Sequence, residues 1–138
     1  IEPERLSLEI TEGIAIDNIE DTISKMDVLK RMGLKFSIDD FGTGYSSLSY
    51  LARLPVAQLK IDRNFIMGIT ESSKYSSIVA TIIIIAENLG LGVVAEGVES
   101  NNELEFLCEK QCKVFQGFHF SKPLPFTAFK EKLKKGFV

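Results

Sequence analysis

The sequence predicts an α/β fold with a mainly parallel sheet, and three observations carry that prediction. Strand-like and helix-like patterns alternate from end to end, in about five strand–helix units. The connections are short, so successive strands read as parallel neighbours joined by helical crossovers. Polar and acidic residues gather at the C-terminal end of each strand, the edge of the sheet on which parallel α/β folds build sites.

The elements follow in order. Arg5 to Thr11 reads as a short strand, with Leu6, Leu8 and Ile10 alternating. A helix is expected from about Asp21 to Met32, where Ile23, Met26, Leu29 and Met32 keep helical spacing and Gly33 supplies a stop. Lys35 to Asp39 is the second strand, and a glycine-rich loop from Asp40 to Tyr45 leads to a short helix over Ser47 to Arg53, closed by Pro55. Gln58 to Asp62 is the third strand, and Ser76 to Leu89 a long helix ended by Gly90. Gly92 to Glu96 is the fourth strand, Asn102 to Gln111 a helix and Val114 to Phe118 the fifth strand. Pro123 and Pro125 frame the approach to a final helix, Phe126 to Lys135. Two architectures suit this order. An open doubly wound sheet fits the length, whereas a (β/α) barrel normally takes about 250 residues and would be present only in part.

Composition narrows the function. The chain has 138 residues, 45% hydrophobic and 25% charged, with a net charge of −3, ordinary values for a globular domain. That balance offers no broad electrostatic footprint for duplex nucleic acid. No apolar run reaches the roughly 18 residues a membrane span needs. The greasiest stretch, Ile78 to Ala86, reads as a core helix. Lysines 130 to 135 read as the solvated end of a helix, favoured there by the helix dipole. Cys108 and Cys112, four apart in an expected helix, read as reduced, buried small residues, which suits the cytoplasm. With one histidine and no CxxC, a zinc site is not expected.

The rim of the sheet carries the chemistry. The first strand ends in Glu9-Ile10-Thr11-Glu12 and the second in Asp39-Asp40. The third carries Lys60 and Asp62, the fourth ends towards Glu96 and Glu99, and the fifth ends in Gln116-Gly117. Any one of these is an ordinary solvated strand end. Together they bring carboxylates, an ammonium and an amide to one place, where carboxylates repel unless cations hold them. A hard divalent ion relieves that repulsion and prefers oxygen ligands. Carboxylates beside a lysine suit metal-assisted hydrolysis of a phosphodiester. The loop Phe41-Gly42-Thr43-Gly44-Tyr45 fits neither a Walker loop nor GxGxxG.

Five ordered motifs then identify a family. They are Glu9-Ile10-Thr11-Glu12, the run Ile38 to Leu48 (IDDFGTGYSSL), Leu59-Lys60-Ile61-Asp62-Arg63, Ala95-Glu96-Gly97-Val98-Glu99, and Gln116-Gly117-Phe118 with Pro123. Their order and spacing resemble the EAL domain family over essentially the whole chain. The resemblance implies a modified TIM barrel, present here as a partial TIM (β/α) barrel. It implies Mg²⁺- or Mn²⁺-dependent hydrolysis of cyclic di-GMP to linear pGpG. Matched position by position, Glu9 and Asp39 resemble direct metal ligands and Asp40 a ligand of a second metal. Lys60 resembles the lysine near the attacking water, and Glu96 the general base or a further metal ligand. Glu99 and Gln116 resemble further site residues around the metals and substrate, Arg63 and Pro123 fall at substrate-side or structural positions, and Glu12 falls at the position that anchors the loop after Asp39-Asp40. Phe118 stands where the family more often has Tyr.

The chain opens at Ile1, and the EAL tripeptide and an Asn-bearing strand are expected N-terminal to it. The sequence is therefore expected to be the C-terminal portion of an EAL domain in a cytoplasmic signalling protein, inactive by itself. A partial barrel leaves a strand edge open, so self-association across that edge is expected. Two other readings compete. A non-catalytic cyclic di-GMP receptor would usually have lost acidic ligands, which this chain keeps. A phosphoacceptor receiver domain would carry its acidic pair on the first strand rather than the second.

Overall fold

The structure, a computed structural model, describes residues 2–13, 18–44 and 48–136. A 3-10 turn at Pro3–Arg5 leads into β1 (Ser7–Thr11), α1 (Ile19–Arg31), β2 (Lys35–Phe41), α2 (Leu48–Leu51) and β3 (Gln58–Ile61). There follow α3 (Arg63–Gly68), α4 (Ser73–Asn88), β4 (Gly92–Glu96), α5 (Asn101–Glu109), β5 (Val114–Gln116) and α6 (Phe126–Lys135). The strands form one 5-stranded parallel sheet in the order β1-β2-β3-β4-β5.

That order decides between the two architectures. A flavodoxin-type sheet places its first strand between the second and third. Here every crossover steps to the next strand in the same direction. With right-handed crossovers, such stepping lays all the helices on one face, which is the wall of a (β/α) barrel.

The register assigns each side chain to a face. Thr11 pairs with Asp39, Ile38 with Leu59, Lys60 with Val94, and Glu96 with Gln116. Paired residues share a face and alternate along each strand. Glu9, Asp39, Lys60, Glu96 and Gln116 therefore stand on the concave face, while Phe36, Ile38, Leu59, Ile61 and Ala95 face the helices. The second set is buried and packs with Met26, Leu51, Val79, Ile82, Ala86 and Leu107 from the helical layer. A buried apolar stripe on α4, Val79, Ile82, Ile83 and Ala86, makes the expected core helix. Among the described residues, no helix is long and apolar enough to cross a membrane.

Several expected boundaries move, each for a local reason. Pro3 starts the 3-10 turn, so β1 begins at Ser7 rather than Arg5. The sequence reading misses α3 because that helix starts directly at a strand end. Asp62 caps it by accepting from the Asn64 N–H at 2.9 Å. Ser72 caps α4 three residues earlier than expected. Helix α5 ends at Glu109, so Cys112 lies beyond it; Cys112 is buried, but Cys108 is exposed, contrary to expectation, and both are free thiols. The expected helix over Ser47 to Arg53 is seen from Leu48, and Ser47 lies outside the described residues. Strand β5 stops at Gln116, two residues short of expectation, because Gly117 packs directly against the backbone of Val98.

Both ends of the sheet lack a neighbouring strand among the described residues. Leu6 and Leu8 near β1 are 41% and 38% exposed, and Val114 in β5 is 46% exposed.

Candidate functional site

Lys60 is the centre of the concave face. It is almost fully buried, and its Nζ lies 2.7 Å from Glu9, 2.9 Å from Asp39 and 2.9 Å from Glu96. Strands β1, β2 and β4 thus each deliver one carboxylate to an ammonium on β3. Burial alone would push the Lys60 pKa down. Its hydrogen bonds to the three carboxylates outweigh that, and the net shift is upward. Lys60 is a fixed cation at any ordinary pH.

A bulge shapes the next part. Strand pairing between β2 and β3 slips between Ile38 and Phe41, and Asp40 takes a left-handed φ of 52°. In a regular strand, Asp39 and Asp40 would point to opposite faces. The bulge re-aims them, so that oxygens of Asp39, Asp40 and Glu96 lie within 4.8 Å of one another. Burial, the charges of Asp39 and Asp62, and a hydrogen bond shared with Asp62 all raise the pKa of Asp40, against a smaller lowering by Lys60. The site thus carries more negative charge than Lys60 offsets.

That surplus is the test for a metal. Asp39, Asp40 and Glu96 form a compact all-oxygen donor set beside Glu9 and Asp62, with one neighbouring ammonium. Hard divalent cations match such a set, and the residues fit one.

A cavity of about 460 Å³ opens beside this knot. Asp40, Arg63, Glu96, Glu99, Gln116 and Pro123 all line it, so Glu96 belongs to both the lysine-centred cluster and the cavity. Glu9, Asp39 and Lys60 belong to the lysine-centred cluster and do not line the cavity. Glu12 lies apart from the cavity and is buried; its Oε2 accepts from the N–H groups of Gly42 at 3.2 Å and Gly44 at 3.1 Å. It holds the start of the loop that follows Asp39-Asp40, while Tyr45, Ser46 and Ser47 lie outside the described residues.

From the sequence, Asp62 is expected at the rim but not among the site residues. The structure puts it against Asp40 and on the cavity wall. Its spacing two residues after Lys60 on the same strand face was the available signal. Phe129 and Lys132 of α6 also line the cavity, and Lys132 Nζ donates to the Phe120 carbonyl at 2.6 Å. Nothing local in the α6 sequence marks those residues as part of a site.

A partial (β/α) barrel with an acidic, lysine-centred site at the C-terminal ends of its strands defines a class of parallel α/β protein. Comparison names the family. The EAL domain model matches residues 1–123, and the chain belongs to the EAL domain family. The chain is 50% identical over 129 residues to the cyclic di-GMP phosphodiesterase NbdA of Pseudomonas aeruginosa, covering 94% of this chain and 16% of that protein. The structure of the PaMucR phosphodiesterase in complex with c-di-GMP superimposes with a TM-score of 0.90 at 43% identity, covering 94% of this chain and 52% of that one. The manganese/cy-diGMP complex of Klebsiella pneumoniae BlrP1 has a TM-score of 0.82 at 37% identity, covering 89% of this chain and 31% of that one. The chain thus spans about half the length of the PaMucR structure and a smaller share of NbdA.

Proposed function

We propose that residues 1–138 are the C-terminal portion of an EAL phosphodiesterase domain that hydrolyses cyclic di-GMP to pGpG in bacterial signalling, using Mg²⁺ or Mn²⁺. The observation that carries this reading is the meeting of Glu9, Asp39 and Glu96 on Lys60, with Asp40 turned into the same acidic cluster by the bulge. A divalent cation bound there supplies Lewis-acid polarisation of a phosphate oxygen and a water of lowered pKa.

The side chains take the following roles in this proposal. Glu9, Asp39, Asp40 and Glu96 hold the metal. Lys60 keeps Glu9, Asp39 and Glu96 converged and balances their charge beside the attacking water. Glu96, which faces the cavity, takes a proton from that water as its oxygen bonds to phosphorus. One phosphorus–oxygen ester bond breaks and the departing 3′ oxygen takes up a proton from solvent, leaving a 5′-phosphate and a 3′-hydroxyl, while Glu96 releases its proton to solvent. Glu99, Gln116, Arg63 and Pro123 line the substrate side, and Glu12 anchors the loop beyond Asp39-Asp40. Support for the substrate comes from NbdA and PaMucR, and support for a divalent metal from BlrP1. The proposed setting is the cytoplasm.

The test is a metal-dependent assay for pGpG, run on this chain and on one extended N-terminally to the family's full domain. The extended chain is expected to turn over and this chain to fall far short. Glu96→Ala in the extended chain is expected to lose on the order of 10²–10⁴-fold in kcat. Turnover unchanged by Glu96→Ala would refute the assignment of the base.

The outer edges of β1 and β5, which lack a neighbouring strand among the described residues, are also proposed to drive self-association of the isolated chain. Sedimentation velocity is expected to show concentration-dependent species above the monomer mass for this chain, reduced by the N-terminal extension. A single monomeric species across the concentration range would refute this.

A further inference from the structure

Among the described residues, Glu103 is one of four buried charged side chains, with Glu12, Lys60 and Asp62, and the proposed chemistry does not use it. It is 6% exposed and sits in the first turn of α5. Its backbone N–H donates to Ser100 Oγ at 3.3 Å, and its Oε2 accepts from the Ser100 N–H at 2.9 Å, completing a reciprocal cap. A cap requires no more than this. Yet the same Oε2 also accepts from the Glu99 N–H at 2.8 Å, the shortest of the three bonds.

That extra bond closes a frame around the segment between Glu96 and Glu99. At one end, Glu96 leaves β4 bound to Lys60 at 2.9 Å. Gly97 then turns at a φ of 72°, with Arg63 so close that a Cβ would lie 2.5 Å from the Arg63 Cβ. Val98 is fully buried and stitched to the end of β5, its N–H donating to Gln116 at 3.0 Å and its carbonyl accepting from His119 at 3.0 Å. At the other end the Glu103 carboxylate holds the Glu99 amide. Both acidic residues of this segment line the cavity.

We propose that Glu103 is a positioning residue of the site: its buried carboxylate fixes the backbone at Glu99 and so sets where the Glu96 and Glu99 carboxylates stand relative to metal and substrate. The proposal rests on the reading of the cavity as a metal-dependent phosphodiesterase site. Misplacement by an ångström is enough to cost catalysis heavily. Glutamine keeps a carbonyl oxygen that can accept from both amides. Alanine keeps none.

Amide exchange, Mn²⁺ titration and turnover test it together. In the wild-type chain the Glu99 amide is expected to be protected as well as that of Ser100. In Glu103→Ala that protection is lost, half-saturation by Mn²⁺ rises several-fold, and kcat in the extended chain falls about tenfold or more. Glu103→Gln restores most of each. Ser100→Ala removes the other half of the cap but leaves the grip on Glu99. It is expected to lower the melting temperature while leaving kcat and Mn²⁺ half-saturation near wild type, assayed well below either transition. If Ser100→Ala impairs metal binding as much as Glu103→Ala, the carboxylate is only a helix cap and the proposal falls. It also falls if the wild-type Glu99 amide exchanges freely, a result that stands even if Glu103→Ala does not fold. Absence of turnover in the wild-type extended chain would overturn the phosphodiesterase reading, while exchange and Mn²⁺ titration would still decide the role of Glu103.

Discussion

Lys60→Met is expected to destabilise the metal-free chain by about 3 kcal/mol in urea unfolding, the lower end of the cost of removing one partner from a buried ion cluster. The lower end applies because Glu9 is half exposed and stays partly solvated, whereas Asp39 and Glu96 are largely covered. Methionine fills the space but leaves three carboxylates facing one another without a counter-charge. The pH dependence has a definite sign. The folded-state pKa of Lys60 is raised above its ordinary value, so its contribution is fully present below the unfolded lysine pKa of about 10.4. It is lost only as pH rises through the higher folded value. The gap between wild type and variant should therefore stay constant from neutral pH to about pH 10 and narrow above that. A variant as stable as wild type at neutral pH would mean that the carboxylates do not depend on this lysine.

Gly117→Ala is the second large effect expected, and it acts through backbone contact alone. A Cβ at position 117 would lie 2.7 Å from the Val98 carbonyl carbon and closer still to the Val98 N and O. Those atoms belong to main chain that is hydrogen-bonded to Gln116 and His119, so they cannot yield without breaking the end of β5. The expected loss is on the order of 3 kcal/mol or more, above the usual cost of overpacking because the obstacle is backbone. Gly13→Ala is the control, since a Cβ there meets nothing within 4 Å. Thermal unfolding of the two variants side by side decides it. Equal melting temperatures would show that Val98 can move aside.

The two substitutions probe different layers of one design. Lys60 draws three strands together at the acidic end of the site. Gly117 lets the segment after β4 lie directly on the end of β5, carrying Glu99 to the cavity that Gln116 also lines. Glu103 then holds the far end of that segment. The acidic cluster is thus built from strand ends, while the cavity wall is built from loop backbone at close contact.

Much of this was legible in the linear chain. Strand and helix alternation follows from hydrophobic periodicity, and its period changes cleanly at Gly33, Gly90 and the prolines, so element types were readable even where boundaries shifted. The rim residues were readable because the end of a strand is a local feature: Glu96 ends β4, Lys60 lies one residue from the end of β3, and Glu9 and Asp39 lie two residues from the ends of β1 and β2. Helix α3 was less legible, because its cap, Asp62, is also the last rim acid of the third strand. The exposure of Cys108 was not legible, since packing decides which face of α5 meets the core: Leu107 is buried and its neighbour Cys108 is not.

What the sequence determined by itself is the alternation of elements, the acidic character of one sheet edge and membership of the family through five ordered motifs. Only the tertiary structure decided the strand order, the bulge that turns Asp39 and Asp40 to the same side, and the convergence on Lys60. The physical reason is range. Periodicity and capping act within a few residues, whereas strand order, register slips and the distance from a carboxylate on one strand to an ammonium on another depend on pairings between residues tens of positions apart.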